Sequence, residues 1–465
     1  MTLGRICLII DNPLRDIDGI CLIAWHLSQI GHEVFITPMY DQVYDVFALK
    51  PDLVLSNYAR ANNFELLKQF YNLGIKVIIL DTEGVGDWWE KHSKHMSSAK
   101  IDDFVEKYLC WGKGQAATME VYGGLKSGKV VATGCPRYDF ISRQWRSMLD
   151  KNQLPEGYIL VNTNFPVVNP QFSTDTKAET KTWAKALEWM SVSQAQNFAK
   201  HSQNAFEKML VVITELAEAF PESTIVVRPH PFEEMTPYKN LSDRYSNVRV
   251  RKEGTSLVWI NKAAVLLHMN CFTAVEASFM NVEAISLEWI NSKVLREHSP
   301  EPYLISHKAE SFSQLKDWIT LIFDGGKLEK SHAQNSFAAD LIPKSYLMLD
   351  GNSGARVAKT LSDLIDLESK AAQKVPVAFR NRVILSARQL LGHRLSELIR
   401  WCIMSQKNRK NRKLKQLDIG KITQFFNNIT VKNSSFRPVR VEFVDQKTCD
   451  NSRLLSGKSI KISCS

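Results

Sequence analysis

Along the first 140 positions, apolar residues come in short β-branched runs separated by longer stretches with helical spacing. Runs at 5–11, 33–39, 52–58, 76–81, 107–111 and 129–133 read as strands, and 20–30 and 63–73 place apolar residues three and four apart. Such alternation predicts a parallel sheet with helices on both faces. It restarts at Tyr158, with strands over 158–162, 224–228, 248–251, 264–268 and 284–287 and a long helix over 201–219. The polar stretch 144–157 ends in Pro155-Glu156-Gly157 and marks a boundary. The expected fold class is therefore α/β, two Rossmann-like lobes facing a cleft. The lobes span 1–150 and 151–367, with a C-terminal extension over 368–465. In the extension, a helical region from 375 precedes a basic run at 407–415, a helix over 419–427 and short strand-like pieces. The polar segment 167–197 reads as a long insertion with one helix near 179–191.

A length of 465 residues fits two or three domains, and 44% hydrophobic residues suffice for proper cores. No run approaches the ~18 apolar residues of a membrane helix. The first strand begins without a secretory leader, so a cytoplasmic location is expected. Eight cysteines are scattered without a Cys-x-x-Cys pair, which predicts reduced, structural thiols and no metal centre. Charge is uneven: from Lys370 onward 21 Lys and Arg face 5 Asp and Glu, a net +16, whereas the first 369 residues carry 38 against 44, a net −6.

The strongest local chemistry lies at 224–231, Thr-Ile-Val-Val-Arg-Pro-His-Pro, where a β-branched strand ends in Arg228 and His230 between two prolines that fix the exit path. Arg228 can hold a phosphate bidentately, and His230 can give a leaving phosphate a hydrogen bond or a proton. Asn270, Cys271 and Thr273 follow another apolar strand at a helix start, where backbone N–H groups and the helix dipole suit a phosphate. Glu276, one turn in, is placed for a ribose. The alternative is a cap by Asn270 or Thr273 with Glu276 closing a capping box. Asn162, Thr163 and Asn164 end the first strand of the second lobe, beside the Arg-Pro-His-Pro strand if sequential strands pair; they can hold a nucleotide or sugar, or form an Asx turn.

In the first lobe, Val77-Ile78-Ile79-Leu80-Asp81-Thr82-Glu83-Gly84 ends a buried strand with two carboxylates. Glu83 is a candidate general base on an acceptor hydroxyl, or a cap or solvated loop acid. In the loop after the first strand, Arg15, Asp16, Asp18 and Gly19 are candidates for acceptor binding, with turn and cap roles as the alternative for the acids. That loop lacks Gly-x-Gly-x-x-Gly, which argues against a nicotinamide enzyme. The turn 134–139, Gly-Cys-Pro-Arg-Tyr-Asp, is assigned mainly to structure.

Asp-Thr-Glu-Gly at 81–84, Leu-Val-Asn-Thr-Asn-Phe at 160–165, Arg-Pro-His-Pro at 228–231 and Asn-Cys-Phe-Thr-Ala-Val-Glu-Ala at 270–277 together resemble the bacterial surface carbohydrate biosynthesis protein family, over about residues 1–367. That family looks like GT-B glycosyltransferases, and its His-Pro and Ser/Thr-rich helix start are similar to the CMP-binding motifs of sialyl, polysialyl and Kdo transferases. The resemblance implies a metal-independent glycosyltransferase of lipopolysaccharide or capsule assembly that needs no cofactor. A CMP-sugar is then the donor and a glycan or lipid-linked acceptor its partner, with His230 and Thr273 at the donor phosphate and Glu83 as the catalytic carboxylate. One departure stands out: a retaining β-Kdo mechanism wants a carboxylate nucleophile where this chain has Asn162-Thr163-Asn164, and amides cannot serve. Two other readings stay open, a CDP-polyol phosphotransferase of the teichoic-acid type and a non-catalytic carbohydrate- or nucleotide-binding assembly protein. The helical stretch with the basic run, 383–415, suits an anionic membrane surface at the inner face of the cytoplasmic membrane, or is a solvated basic face. Nucleic acid is the less favoured partner, because the basic run lacks interleaved aromatics and no binding module is recognisable.

Overall fold

Fourteen strands of the computed structural model fall into two sheets, described over residues 3–84, 89–149, 153–173, 175–186, 190–365, 379–432, 436–445 and 452–464. In chain order they are β1 Arg5–Ile10, β2 Glu33–Pro38, β3 Leu53–Ser56, β4 Lys76–Leu80, β5 Lys107–Cys110, β6 Val130–Ala132, β7 Tyr158–Asn162, β8 Ile225–Arg228, β9 Val248–Val250, β10 Ala263–His268, β11 Glu283–Leu287, β12 His307–Ala309, β13 Val439–Phe443 and β14 Ile460–Cys464. The first sheet runs β13-β14-β2-β1-β3-β4-β5-β6 and the second β12-β11-β10-β7-β8-β9. Counted from β7, the second order is that of a doubly wound dinucleotide-type sheet, with all its pairs parallel. The α/β class and the two Rossmann-like lobes are as expected from the hydrophobic pattern.

Local sequence explains the first crossover. Asn12 Oδ1 accepts the N–H of Leu14 at 3.1 Å, Pro13 occupies the first helical turn, and Gly31 at φ 118° ends the helix Pro13–Ile30 in the left-handed conformation. One face of β1 and its neighbours gives the core residues Cys7, Ile9, Phe35, Val54, Val77 and Ile79. In the second sheet, Ile159, Val161, Val227 and Leu267 pack on Met209, Ile213 and Leu216 of the helix Val192–Ala219. That helix starts earlier than expected, behind a Ser191/Gln194 capping box. The helix expected near 179–191 lies over Thr176–Ala186, and 187–189 fall outside the described residues, as do Cys449 and the segment 366–378.

The chain divides into one unit of Met1–Met148 with Leu341–Ser465 and another of Leu149–Asp340. The second boundary thus lies at 340/341, not at 367, and the C-terminal residues belong to the first unit and form no separate extension. Three buried carboxylates explain this return. Asp139 accepts the backbone N–H groups of Ser353 and Gly354, at 2.9 and 2.7 Å, where the helix Ser353–Ile365 begins. Asp45 accepts the N–H and hydroxyl of Ser456, at 2.6 and 2.5 Å, and the hydroxyl of Ser459. Asp41 pairs with Arg412 at 2.5 Å and Arg400 at 3.3 Å. β14 then joins the first sheet antiparallel to β2, and Val444, Leu454 and Leu455 enter its core.

Replacing Asp139 by Ala orphans two buried N–H groups and is expected to cost about 3 kcal/mol. Urea unfolding of the two proteins checks this, and equal midpoints would contradict the anchoring role.

Candidate functional site

Each sheet reverses its strand order beside its first strand, and open α/β sheets bind ligands at the carboxyl ends of strands flanking such a switch. In the first unit the switch lies between β1 and β3. A pocket open to solvent lies there, lined by Asp11, Asp16, Asn57, Asp81, Trp111 and Arg137 among others. Asn57 Oδ1 is buried without a hydrogen-bond partner, so the wall offers an acceptor to a ligand.

Around this pocket four carboxylates interleave with four cations. Arg15 holds Asp16 at 2.8 Å, Asp11 at 3.3 Å and Glu83 at 3.7 Å. Arg60 reaches Asp81 at 3.4 Å and Glu83 at 3.3 Å. Arg137 lies 3.7 Å from Asp16 and over the Trp111 ring at 5.1 Å, and Lys415 pairs with Asp11. Asp81 is the buried member: it accepts the Glu83 N–H at 3.0 Å, and burial pushes its carboxyl up to about 7 against the opposing pull of Arg60. Glu83 is about half exposed and shares Arg60 with Asp81, which gives the strand end one wet and one dry carboxylate. Gly84 is required by Trp111, whose ring a Cβ would meet at 2.2 Å, while the Trp111 indole N–H donates to the Asp81 carbonyl at 2.8 Å.

The second unit turns between β7 and β10, and the end of β7 is tied to both neighbours. Asn162 Nδ2 donates to Thr273 Oγ1 at 2.8 Å, and Asn164 Nδ2 to the Asn270 carbonyl at 2.9 Å. Thr163 donates its N–H to the Arg228 carbonyl at 3.2 Å and its hydroxyl to Glu233 at 2.8 Å. Glu233 is completely buried, and burial raises its pKa. It also accepts the His230 N–H at 3.0 Å and the Tyr238 hydroxyl at 2.5 Å, so one carboxylate fixes the Arg-Pro-His-Pro turn to β7. His230 Nδ1 accepts the Phe232 N–H at 3.2 Å, which puts the proton of a neutral ring on Nε2. Asn162 Oδ1 is buried without a partner. No side chain caps the helix Thr273–Phe279, and Cys271 Sγ accepts from Thr273 at 3.1 Å.

Several expected roles change. The Arg228 guanidinium is buried and donates to the carbonyls of Glu253 and Gly254 at 3.1 and 2.6 Å, so it braces the loop after β9 and does not stand open to a phosphate. Burial lowers its pKa to about 10. Glu276 accepts the Ser256 hydroxyl and closes no capping box. Asp16 and Gly19 line the first-unit pocket, but Asp18 is buried in its helix and does not. Gly19 is explained by packing, since a Cβ there would lie 2.8 Å from the Arg137 nitrogen. Sequence reasoning passed over Arg60, Asp81, Arg137, Glu233 and Lys415 as site members. Glu233 had a signal, three residues beyond His230, whereas Lys415 is 404 positions from Asp11 and had none.

No family model matches the chain, and comparison with curated proteins returns no match. Among solved structures, the UDP-GlcNAc 2-epimerase of Methanocaldococcus jannaschii in complex with UDP-GlcNAc and UDP aligns at TM-score 0.46 and 12% identity, over 77% of this chain and 99% of that one. The Neisseria meningitidis UDP-GlcNAc 2-epimerase bound to UDP-GlcNAc aligns at 0.44 and 11%, over 77% and 100%. The wall teichoic acid polymerase TagF aligns at 0.46 and 8%, over 78% and 89%. Identities this low transfer no residue roles.

With its pKa raised from an ordinary 3.8 to about 7, Asp81 keeps its proton in the native state at pH values where the unfolded chain has lost it. Its contribution is therefore complete below about pH 4 and lost as pH rises through 7. Asp81→Asn should flatten the fall in unfolding free energy between pH 5 and 8 by about 2 kcal/mol, measured in urea; parallel pH profiles would refute a proton on Asp81. Glu233→Ala removes the acceptor of the His230 N–H and of the Thr163 and Tyr238 hydroxyls, leaving Tyr238 its bond to Thr163 at 3.1 Å, and should cost about 3 kcal/mol. His230→Ala, at a half-exposed position, should stay within about 0.5 kcal/mol of the wild type.

Proposed function

We propose that the chain is a metal-independent glycosyltransferase of bacterial surface polysaccharide assembly, with a nucleotide-sugar donor in the second unit and the acceptor hydroxyl served by the first. The observation that carries the reading is the end of β7, where Asn162, Thr163 and Asn164 bond at once to the His230 turn and to the Thr273 helix start. This brings a donor proton on His230 Nε2, an uncapped helix start and the unpartnered Asn162 Oδ1 to one switch point. Phosphate and a polar sugar or nucleoside edge are the chemistry such a set recognises.

A single displacement uses these groups in balance. Glu83 takes the acceptor proton, the freed oxygen forms a bond to the anomeric carbon, and the bond from that carbon to the phosphate oxygen breaks. His230 Nε2–H stabilises or protonates the leaving phosphate. The amides at 162 and 164 cannot act as nucleophiles and are engaged in cross-strand bonds, so the reading is inverting transfer. A CMP-linked acidic sugar such as Kdo, and a lipid-linked acceptor at the inner face of the cytoplasmic membrane, belong to this proposal on the strength of the family resemblance.

Glu83→Gln and His230→Ala should each lower kcat at least about 100-fold while thermal melting is unchanged. CMP should raise the melting temperature of the full chain at micromolar to millimolar concentration. A response to UDP or GDP without one to CMP excludes the CMP donor, and a product that gains a phosphoryl-polyol in place of a sugar replaces glycosyl transfer by phosphotransfer.

A further inference from the structure

The segment Phe379–Ile403 is two helical stretches joined across the non-helical Gly392, and the second of them is built inside out. Arg388, Glu397 and Arg400 face the protein: Arg388, in the first stretch, is completely buried, donates to Glu397 and to the Leu455 carbonyl at 2.7 Å each, and lies 4.1 Å from the Tyr44 ring centre. Arg400 reaches Asp41 and the Tyr40 carbonyl. On the opposite face Leu395, Leu398, Ile399 and Ile403 repeat at three- and four-residue intervals and are exposed, Leu398 at 58% and Ile403 at 79%. Leu390, before the break at Gly392, is 85% exposed. A helix on a water-soluble core presents the reverse arrangement. This one cannot roll its apolar stripe inward without pulling Arg388, Glu397 and Arg400 out of their ion pairs.

Cations follow the stripe in sequence. In the next helix, Gln406–Leu414, Arg412 turns inward to Asp41 and Glu397, while Lys410 and Lys413 are exposed. Arg409 and Lys413 lie over the Trp401 ring at 5.5 and 5.7 Å. Exposed aliphatic residues, an interfacial tryptophan and outward cations on one short stretch are the chemistry of a surface that rests on anionic lipid. Among the described residues no helix is long and apolar enough to cross a membrane, so contact is along the surface and not through it. A second copy fits less well, since a two-fold contact would oppose like charges. Nucleic acid fits less well too, since it gives the leucine stripe nothing to pack on.

The geometry points to the exposed stripe Leu395, Leu398, Ile399 and Ile403, with the exposed Lys410 and Lys413 of the helix that follows it, as a docking face for an anionic lipid bilayer. This inference is independent of the reaction catalysed. Sedimentation of the full chain with vesicles of phosphatidylcholine, alone or mixed with phosphatidylglycerol, tests it. The protein should pellet with the mixed vesicles, less with the neutral ones, and release at high salt. Leu398→Ser with Ile399→Ser should weaken binding at least about tenfold with an unchanged urea midpoint, since both side chains face solvent. Lys410→Gln with Lys413→Gln should weaken binding to the mixed vesicles about twentyfold and to neutral ones little, and provides the second test should the first variant misfold. Failure of the wild type to pellet with the mixed vesicles overturns the proposal. So does a dimer that the Ser variant converts to monomer without any vesicle binding, or binding to DNA in place of vesicles.

Discussion

Carboxylates of the first 148 residues that find their donors more than 200 positions later hold the first unit together. Asp139 receives the start of the Ser353–Ile365 helix, Asp41 the side chains of Arg400 and Arg412, and Asp45 the serines ahead of β14. Burying a carboxylate is unfavourable unless its oxygens are satisfied, so each of these contacts demands that the distant segment be in place. Burial raises the pKa of both Asp45 and Asp139 to about 6 despite their hydrogen bonds, a measure of how dry these anchors are. The apolar contribution follows the polar one. With Asp45 holding Ser456, neighbouring Leu454 and Leu455 are drawn into the sheet core, at roughly 2 kcal/mol for each side chain fully buried.

The same economy of charge shapes the candidate site. Lys415 neutralises Asp11 at the pocket wall, and Arg60 divides itself between Asp81 and Glu83, so the C-terminal residues enter the charge balance of the candidate site as well as the fold. In the second unit a single buried acid, Glu233, sets the turn that carries His230. Glu83 and His230, the candidate groups that reach solvent, are each held through their backbone N–H by a carboxylate that water does not reach.

Strands were legible because each is a run of β-branched residues in a parallel sheet buried on both sides; β7 lies where the pattern puts it, and β1 to β6 differ by a few terminal residues. The short β12, His-Lys-Ala, has no such pattern and was not foreseen. The Asn-Thr-Asn and Arg-Pro-His-Pro segments were legible as neighbours because the consecutive strands β7 and β8 pair, whereas Asn270 to Thr273 come alongside through the pairing of β10 with β7, a reversal of strand order that the hydrophobic pattern does not fix. What the sequence could not reveal is where long-range charges go. A run such as 407–415 looks uniformly basic, yet Arg412 and Lys415 are buried ion-pair partners while Lys410 and Lys413 face outward. Likewise nothing in Arg-Pro-His-Pro tells that Arg228 turns to the carbonyls at 253 and 254, which approach it only when β8 and β9 lie side by side.

The interrupted first unit also has a history on the ribosome. Its β2 edge waits for β14, and its acids wait for their donors, while nearly 200 intervening residues, a compact unit with its own sheet, are made. At about 5–20 residues per second the delay is on the order of tens of seconds, during which an open strand edge and an incomplete core face the cell. The first third of the chain therefore carries an unfinished sheet through most of synthesis, and β14 closes what the first strands began.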